Sequence, residues 1–129
     1  ARVLDPARAL MADVDVIAPC AAGQVLDLEL ARRLPAWGVC GAANGVLASA
    51  EAGEALHGRG VLLVPDVVAS AGAVIDGIGE SVMGLSDRSA LIDGLGDLAR
   101  RVLERAEAED RPASAVAQAL AEERLGGRA

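Results

Sequence analysis

The chain has 129 residues, 53% of them hydrophobic, which is one domain's worth of length with material for a core and excludes a disordered tail. Twelve basic against nineteen acidic residues leave a net charge of −7, a poor match for a phosphate backbone, so nucleic acid is not an expected partner. All the cations are arginine, and Tyr and Phe are absent; without lysine, no amine on this chain can act as base, Schiff-base former or phosphate clamp, and aromatic cages and base-stacking platforms are excluded as well.

In chain order, Asp5-Pro6 reads as N-cap and first helical residue of a short helix reaching about Met11. Val14 to Ala18 is β-branched and closed by Pro19, and so reads as a strand. Asp27 caps a helix from Leu28 to about Leu34, stopped by Pro35. Trp37 to Cys40 is a second strand, followed by the small-residue loop Gly41-Ala42-Ala43-Asn44-Gly45. Ser49 opens a third helix that ends at Gly58 and Gly60. Val61 to Pro65 is a third apolar strand. Beyond it the period is helical: one segment from Val67 to Met83, one from about Ser86 to Glu109, and a last helix from Pro112 on which Val116, Leu120 and Glu123 occupy successive turns. The tail from Gly126 is expected to fray.

The order βαβαβ with continuously apolar strands predicts a small parallel sheet, covered on both faces and joined by right-handed crossovers. No run of about 18 apolar residues is present, so no membrane span is expected. No charged-then-apolar leader precedes the fold, and the start at Ala1 suggests a processed or truncated product. Cys20 and Cys40 make no disulfide framework and have no metal-ligand spacing. They are expected as small buried hydrophobes in a reducing cytoplasm.

Ligands of doubly wound sheets bind beyond the carboxyl ends of the strands. Here those ends are Pro19–Gly23, Gly41–Gly45 and Pro65-Asp66-Val67. Asn44 is the polar side chain in a loop otherwise made of Gly and Ala, and its carboxamide can both donate and accept. Asp66 either shapes this edge or caps the helix after it. Asp13 and Asp15 lie at the far end of the first strand and read as solvated. His57 sits at a helix C-terminus, where positive charge is favoured, and reads as structural. Gly94-Leu95-Gly96-Asp97-Leu98-Ala99 matches G-x-G-x-x-A in letters alone. It follows helical rather than strand residues, so these glycines are expected to pack on a helix face.

Four stretches in order, Ala18-Pro19-Cys20-Ala21-Ala22-Gly23, Gly41-Ala42-Ala43-Asn44, His57-Gly58-Arg59-Gly60-Val61-Leu62 and Pro65-Asp66-Val67-Val68-Ala69-Ser70-Ala71-Gly72, resemble the carboxyl-terminal half of the nucleotide-binding domain of the Glu/Leu/Phe/Val dehydrogenases, nearest to the phenylalanine, leucine and valine enzymes. The resemblance implies an α/β fold, the second half of a Rossmann-type parallel sheet. Residues 1–84 would form a partial dinucleotide-binding domain and 85–129 carboxyl-terminal helices. It implies oxidative deamination of an apolar L-amino acid to its 2-oxo acid, with NAD as hydride acceptor. Pro19, Cys20, Ala21 and Asn44 would contact the nicotinamide end of the cofactor; Val74 and Gly77 would wall the amino-acid side-chain pocket. Departures from the family pattern fall at Gly45, where the family has a second Asn, at Gly23-Gln24 for Gly-Gly, and at Ser70-Ala71-Gly72-Ala73 for Asn-Ala-Gly-Gly.

The family's lysine-bearing substrate domain and its Gly-rich pyrophosphate turn have no counterpart in these residues. The chain is therefore expected to be a piece of such an enzyme, catalytically incompetent and a weak NAD binder by itself, and to pack on an amino-terminal domain or a further copy. The alternative is a non-catalytic remnant that binds a partner or complements a separate amino-terminal half.

Overall fold

The computed structural model describes residues 3–126. Three strands, β1 (Val16–Ile17), β2 (Gly38–Val39) and β3 (Leu62–Leu63), form a parallel sheet in the order β1-β2-β3. Val16 faces Gly38 and Leu62 across the sheet, and Ile17 faces Val39 and Leu63. The strands are shorter than their apolar runs suggest. At the end of β1, Pro19 offers no N–H, so the ladder stops after the Cys40 N–H reaches the Ile17 carbonyl at 3.0 Å.

The two crossover helices begin and end where the sequence signals them. After α1 (Pro6–Ala9), α2 (Leu28–Arg33) starts at Asp27, whose carboxylate accepts from the Leu30 N–H at 2.8 Å. Helix α3 (Ala50–Gly58) starts at Ser49, whose hydroxyl accepts from the Ala52 N–H. The turn from α3 into β3 carries Gly60 at φ +70°, a conformation costly for any side chain. Arg59 in that turn donates to the Ala31 and Leu34 carbonyls, each at 2.7 Å, satisfying the C-terminal end of α2.

Two long segments read as continuous helices are each divided. Val67–Met83 splits into α4 (Asp66–Ala69) and α5 (Ala71–Met83) at Ser70, whose hydroxyl donates back to the Asp66 carbonyl. Ser86–Glu109 splits into α6 (Ser89–Asp93) and α7 (Leu95–Glu109) at Gly94. A helix therefore precedes the G-x-G-x-x-A letters, and a Cβ on Gly96 would meet open space, so close packing does not explain that glycine. Helix α8 (Ala113–Gly126) follows Pro112, whose carbonyl accepts the first helical bonds. Gly126, expected to fray, is instead the last residue of α8, and the rest of that tail, 127–129, lies outside the described residues.

One core lies on the α2/α3 side of the sheet and contains Ile17, Leu26, Leu34, Val39, Leu56 and Leu63. A second joins α4 to α7 and α8 through Val68, Val102, Ala106, Val116 and Ala117. The opposite sheet face is not covered as the apolar strands predict: Val16 and Leu62 are 47% and 49% exposed on either side of Gly38. Crossovers α2 and α3 clothe one face only, and β1 pairs with β2 alone among the described residues. No described helix is long and apolar enough to cross a membrane.

Candidate functional site

Parallel pairing puts the three carboxyl ends on one edge, and the loops leaving them are tied together. The Ala43 N–H donates to the Pro19 carbonyl at 3.0 Å, and the Gln24 N–H to the Gly45 carbonyl at 2.6 Å. Leu26 and Leu47 then form a second short parallel bridge beyond the sheet. This zipper was legible only as two matched triplets, Gln24-Val25-Leu26 and Gly45-Val46-Leu47, each ending shortly before an N-cap.

Close backbone approach explains the small residues. A Cβ on Gly41 would sit 2.0 Å from the Pro19 carbonyl oxygen, and one on Gly23 2.5 Å from the Asn44 carbonyl oxygen. Neither position accommodates a side chain without moving backbone. Gly45 adopts φ +62°, and Gln24 stands at φ +56°. Two of the three departures from the family pattern thus coincide with left-handed backbone.

Asp66 resolves in favour of shaping the edge. The N-cap of α4 is Pro65, and the Asp66 carboxylate accepts from the Gly45 N–H at 2.7 Å. The third strand end thereby holds the second loop. Its side chain links two elements twenty-one positions apart, which local sequence cannot reveal.

Pro19 is buried beneath this edge, whereas Cys20, Ala21 and Asn44 are exposed on it. The expectation that both cysteines are buried fails: Cys20 and Cys40 are free and exposed. The cause is position, since Cys40 directly follows β2 and Cys20 follows Pro19 in the loop leaving β1, both beyond the strand residues that the helices cover. Val74 and Gly77 lie apart, on α5. Val74 is 57% exposed, and a Cβ on Gly77 would touch nothing within 4 Å.

Two cavities lie away from this edge. One of about 350 Å³ lies near the start of β3, among Leu56, His57, Leu103 and Pro112. The other, about 560 Å³, lies between α4, α7 and α8, beside Val67, Leu98 and Leu120. Val74 and Gly77 border neither. His57 is structural, its Nε2 lying 3.0 Å from the Asp110 carboxylate across the α3–α7 junction. Asp13 and Asp15 are exposed at the far end, where Asp15 accepts from the Trp37 indole N–H at 3.1 Å. The described residues contain no group of three or more His, Cys, Asp or Glu able to hold a metal ion.

The edge offers unpaired backbone groups and one carboxamide, which suit a flat polar ring. Its carboxylate, Asp66, is engaged by the Gly45 N–H, and the chain has no lysine.

Comparison with known proteins agrees with this geometry. The chain is 35% identical over 127 residues to leucine dehydrogenase of Bacillus subtilis, covering 97% of this chain and 35% of that enzyme. It is 36% identical over 115 residues to valine dehydrogenase of Streptomyces albus, covering 88% and 31%. The crystal structure of L-tryptophan dehydrogenase from Nostoc punctiforme superposes with a TM-score of 0.89 at 28% identity, over 98% of this chain and 39% of that one. The chain thus spans about a third of the length of the curated relatives it matches. The profile of the Glutamate/Leucine/Phenylalanine/Valine dehydrogenases matches residues 1–87. With the ordered strand-end loops and the parallel βαβαβ sheet, that match establishes that the chain belongs to the Glutamate/Leucine/Phenylalanine/Valine dehydrogenase family.

Proposed function

We propose that this chain supplies the nicotinamide-facing edge of an NAD-dependent L-amino acid dehydrogenase, acting on an apolar amino acid, and that by itself it does not catalyse. The observation that carries the reading is the set of three hydrogen bonds Ala43–Pro19, Gln24–Gly45 and Gly45–Asp66, which tie the strand-end loops together and leave Cys20, Ala21 and Asn44 exposed on one edge. Pro19 contributes a wall, because its carbonyl is already taken by the Ala43 N–H. The exposed backbone of Cys20 and Ala21 and the Asn44 carboxamide would then hold the nicotinamide amide, which both donates and accepts. The cofactor, when bound, accepts the hydride.

Val74 and Gly77 are carried as walls of the amino-acid pocket on the strength of the family pattern. Their exposure fits a surface completed by further polypeptide. The open sheet face at Val16 and Leu62 and the free side of β1 favour the same arrangement, with an amino-terminal domain or another copy packing there. We divide the chain near residue 84 into the partial cofactor domain and the terminal helices, and place the protein in the cytoplasm, where two free exposed cysteines are at home.

The test is NADH titration of the 129-residue chain followed by amide NMR. Millimolar NADH is expected to move the resonances of Cys20, Ala21 and Asn44 first, with affinity well short of micromolar, because the diphosphate lacks the helix N-terminus that usually holds it. Submicromolar binding, or shifts that spare this edge, would contradict the reading.

A further inference from the structure

The groove between α4, α7 and α8 is separate from the nicotinamide edge and has a distinct chemistry. Its floor is apolar: Val102 is buried, and Leu98 and Leu120 are half-buried beside it. Val67, 64% exposed, forms part of one wall. Its volume, about 560 Å³, falls in the range of small-molecule sites.

Three arginines line it, Arg101, Arg105 and Arg124, in a chain whose net charge is −7. Arg105 is spoken for, since it bonds Glu109 and both carboxylate oxygens of Glu123. Among the described residues Arg101 and Arg124 form no ion pair. Asp97, one turn before Arg101 on the same helix, is bonded to Arg100.

The Arg105–Glu123 contact fixes where the two spare charges lie. Helices α7 and α8 run antiparallel, so Arg101, one turn before Arg105, and Arg124, next after Glu123, lie toward the same end of the groove. From Arg101 to Arg105 the helix rises about 6 Å, and Leu120, three residues before Glu123 on the antiparallel helix, lies about 4 Å further on, room in all for an extended aliphatic chain of about 10 Å.

We propose that this groove binds an amphipathic monocarboxylate, its aliphatic chain on Val102 and Leu120 and its carboxylate between Arg101 and Arg124. Positive charge beside an apolar trough selects an anionic head on an apolar tail over a neutral ligand of the same length. The inference does not depend on the nicotinamide reading.

Calorimetric titration of the chain with decanoate tests it, with decanol as the neutral probe of the same length. Decanoate is expected to bind more tightly than decanol, and Arg101→Gln/Arg124→Gln to weaken decanoate by about tenfold, the sum of two exposed charge contacts, while leaving decanol unchanged. Leu120→Asp should weaken both. Decanoate that fails to bind, binds no better than decanol, or is indifferent to the double substitution overturns the proposal. NADH titration of the same samples reads the strand-end edge independently, so the two readings can fail separately.

Discussion

Replacing Asp66 by Ala removes the acceptor that fastens the second strand-end loop. In the folded chain its carboxylate takes the Gly45 N–H at 2.7 Å, and Gly45 in turn accepts from Gln24 through its carbonyl. A hydrogen bond to a charged group contributes about 1.5–3 kcal/mol net when buried. This bond is open to solvent, so water partly replaces the carboxylate in the variant, and the loss falls to about 1 kcal/mol. For a chain of this size that lowers Tm by about 4 °C. Asp66→Asn keeps an oxygen acceptor without the charge and should lose about half as much. Thermal unfolding by circular dichroism gives the stability change, and the Gly45 amide proton, shifted upfield in Asp66→Ala, reports the bond directly. An unchanged Tm with an unmoved Gly45 resonance would show that Asp66 does not hold the loop.

Gln24→Gly should raise stability by about 0.5–1 kcal/mol by removing a side chain from φ +56°, whereas Gln24→Val should lower it; urea midpoints distinguish the two. Gly41→Ala must displace the Pro19 carbonyl that a Cβ would approach to 2.0 Å, costing about 3 kcal/mol or more. Gly77→Ala, a helix position with nothing near the new methyl, should stabilise by up to about 1 kcal/mol. Glu123 and Glu109 are both held below the usual glutamate range, first of all by hydrogen bonds from Arg105. Groups with depressed folded-state pKa values stabilise above their unfolded value, near 4.5, and lose that contribution as pH falls through the folded value. Acid unfolding monitored from pH 6 to pH 2 should therefore be shallower in Arg105→Gln than in the parent chain.

Local chemistry accounts for what could be read directly. Asp27 and Ser49 begin helices because a short oxygen-bearing side chain satisfies orphan N–H groups wherever it stands before an apolar run. The three β-branched or leucine-rich runs form strands in the stated order, and the small-residue loops that follow them come to one edge because parallel strands leave no other choice. The divisions at Ser70 and Gly94 were missed because the helical period continues through both. A back-bonding hydroxyl or a junction glycine turns the axis without disturbing the period.

Sequence alone determined the βαβαβ order, the parallel topology and the residues available at the strand ends, since these follow from periodicity, caps and turn chemistry acting over a few positions. Tertiary structure decided the rest. Cys20 and Cys40 are exposed because the covering helices stop at the last strand residues; Asp66 serves a loop rather than its own helix because folding brings Gly45 within 2.7 Å; and one sheet face stays open because both crossovers lie on the other. Burial and contact between residues far apart in the chain depend on which surfaces fold against which, and no local pattern carries that information.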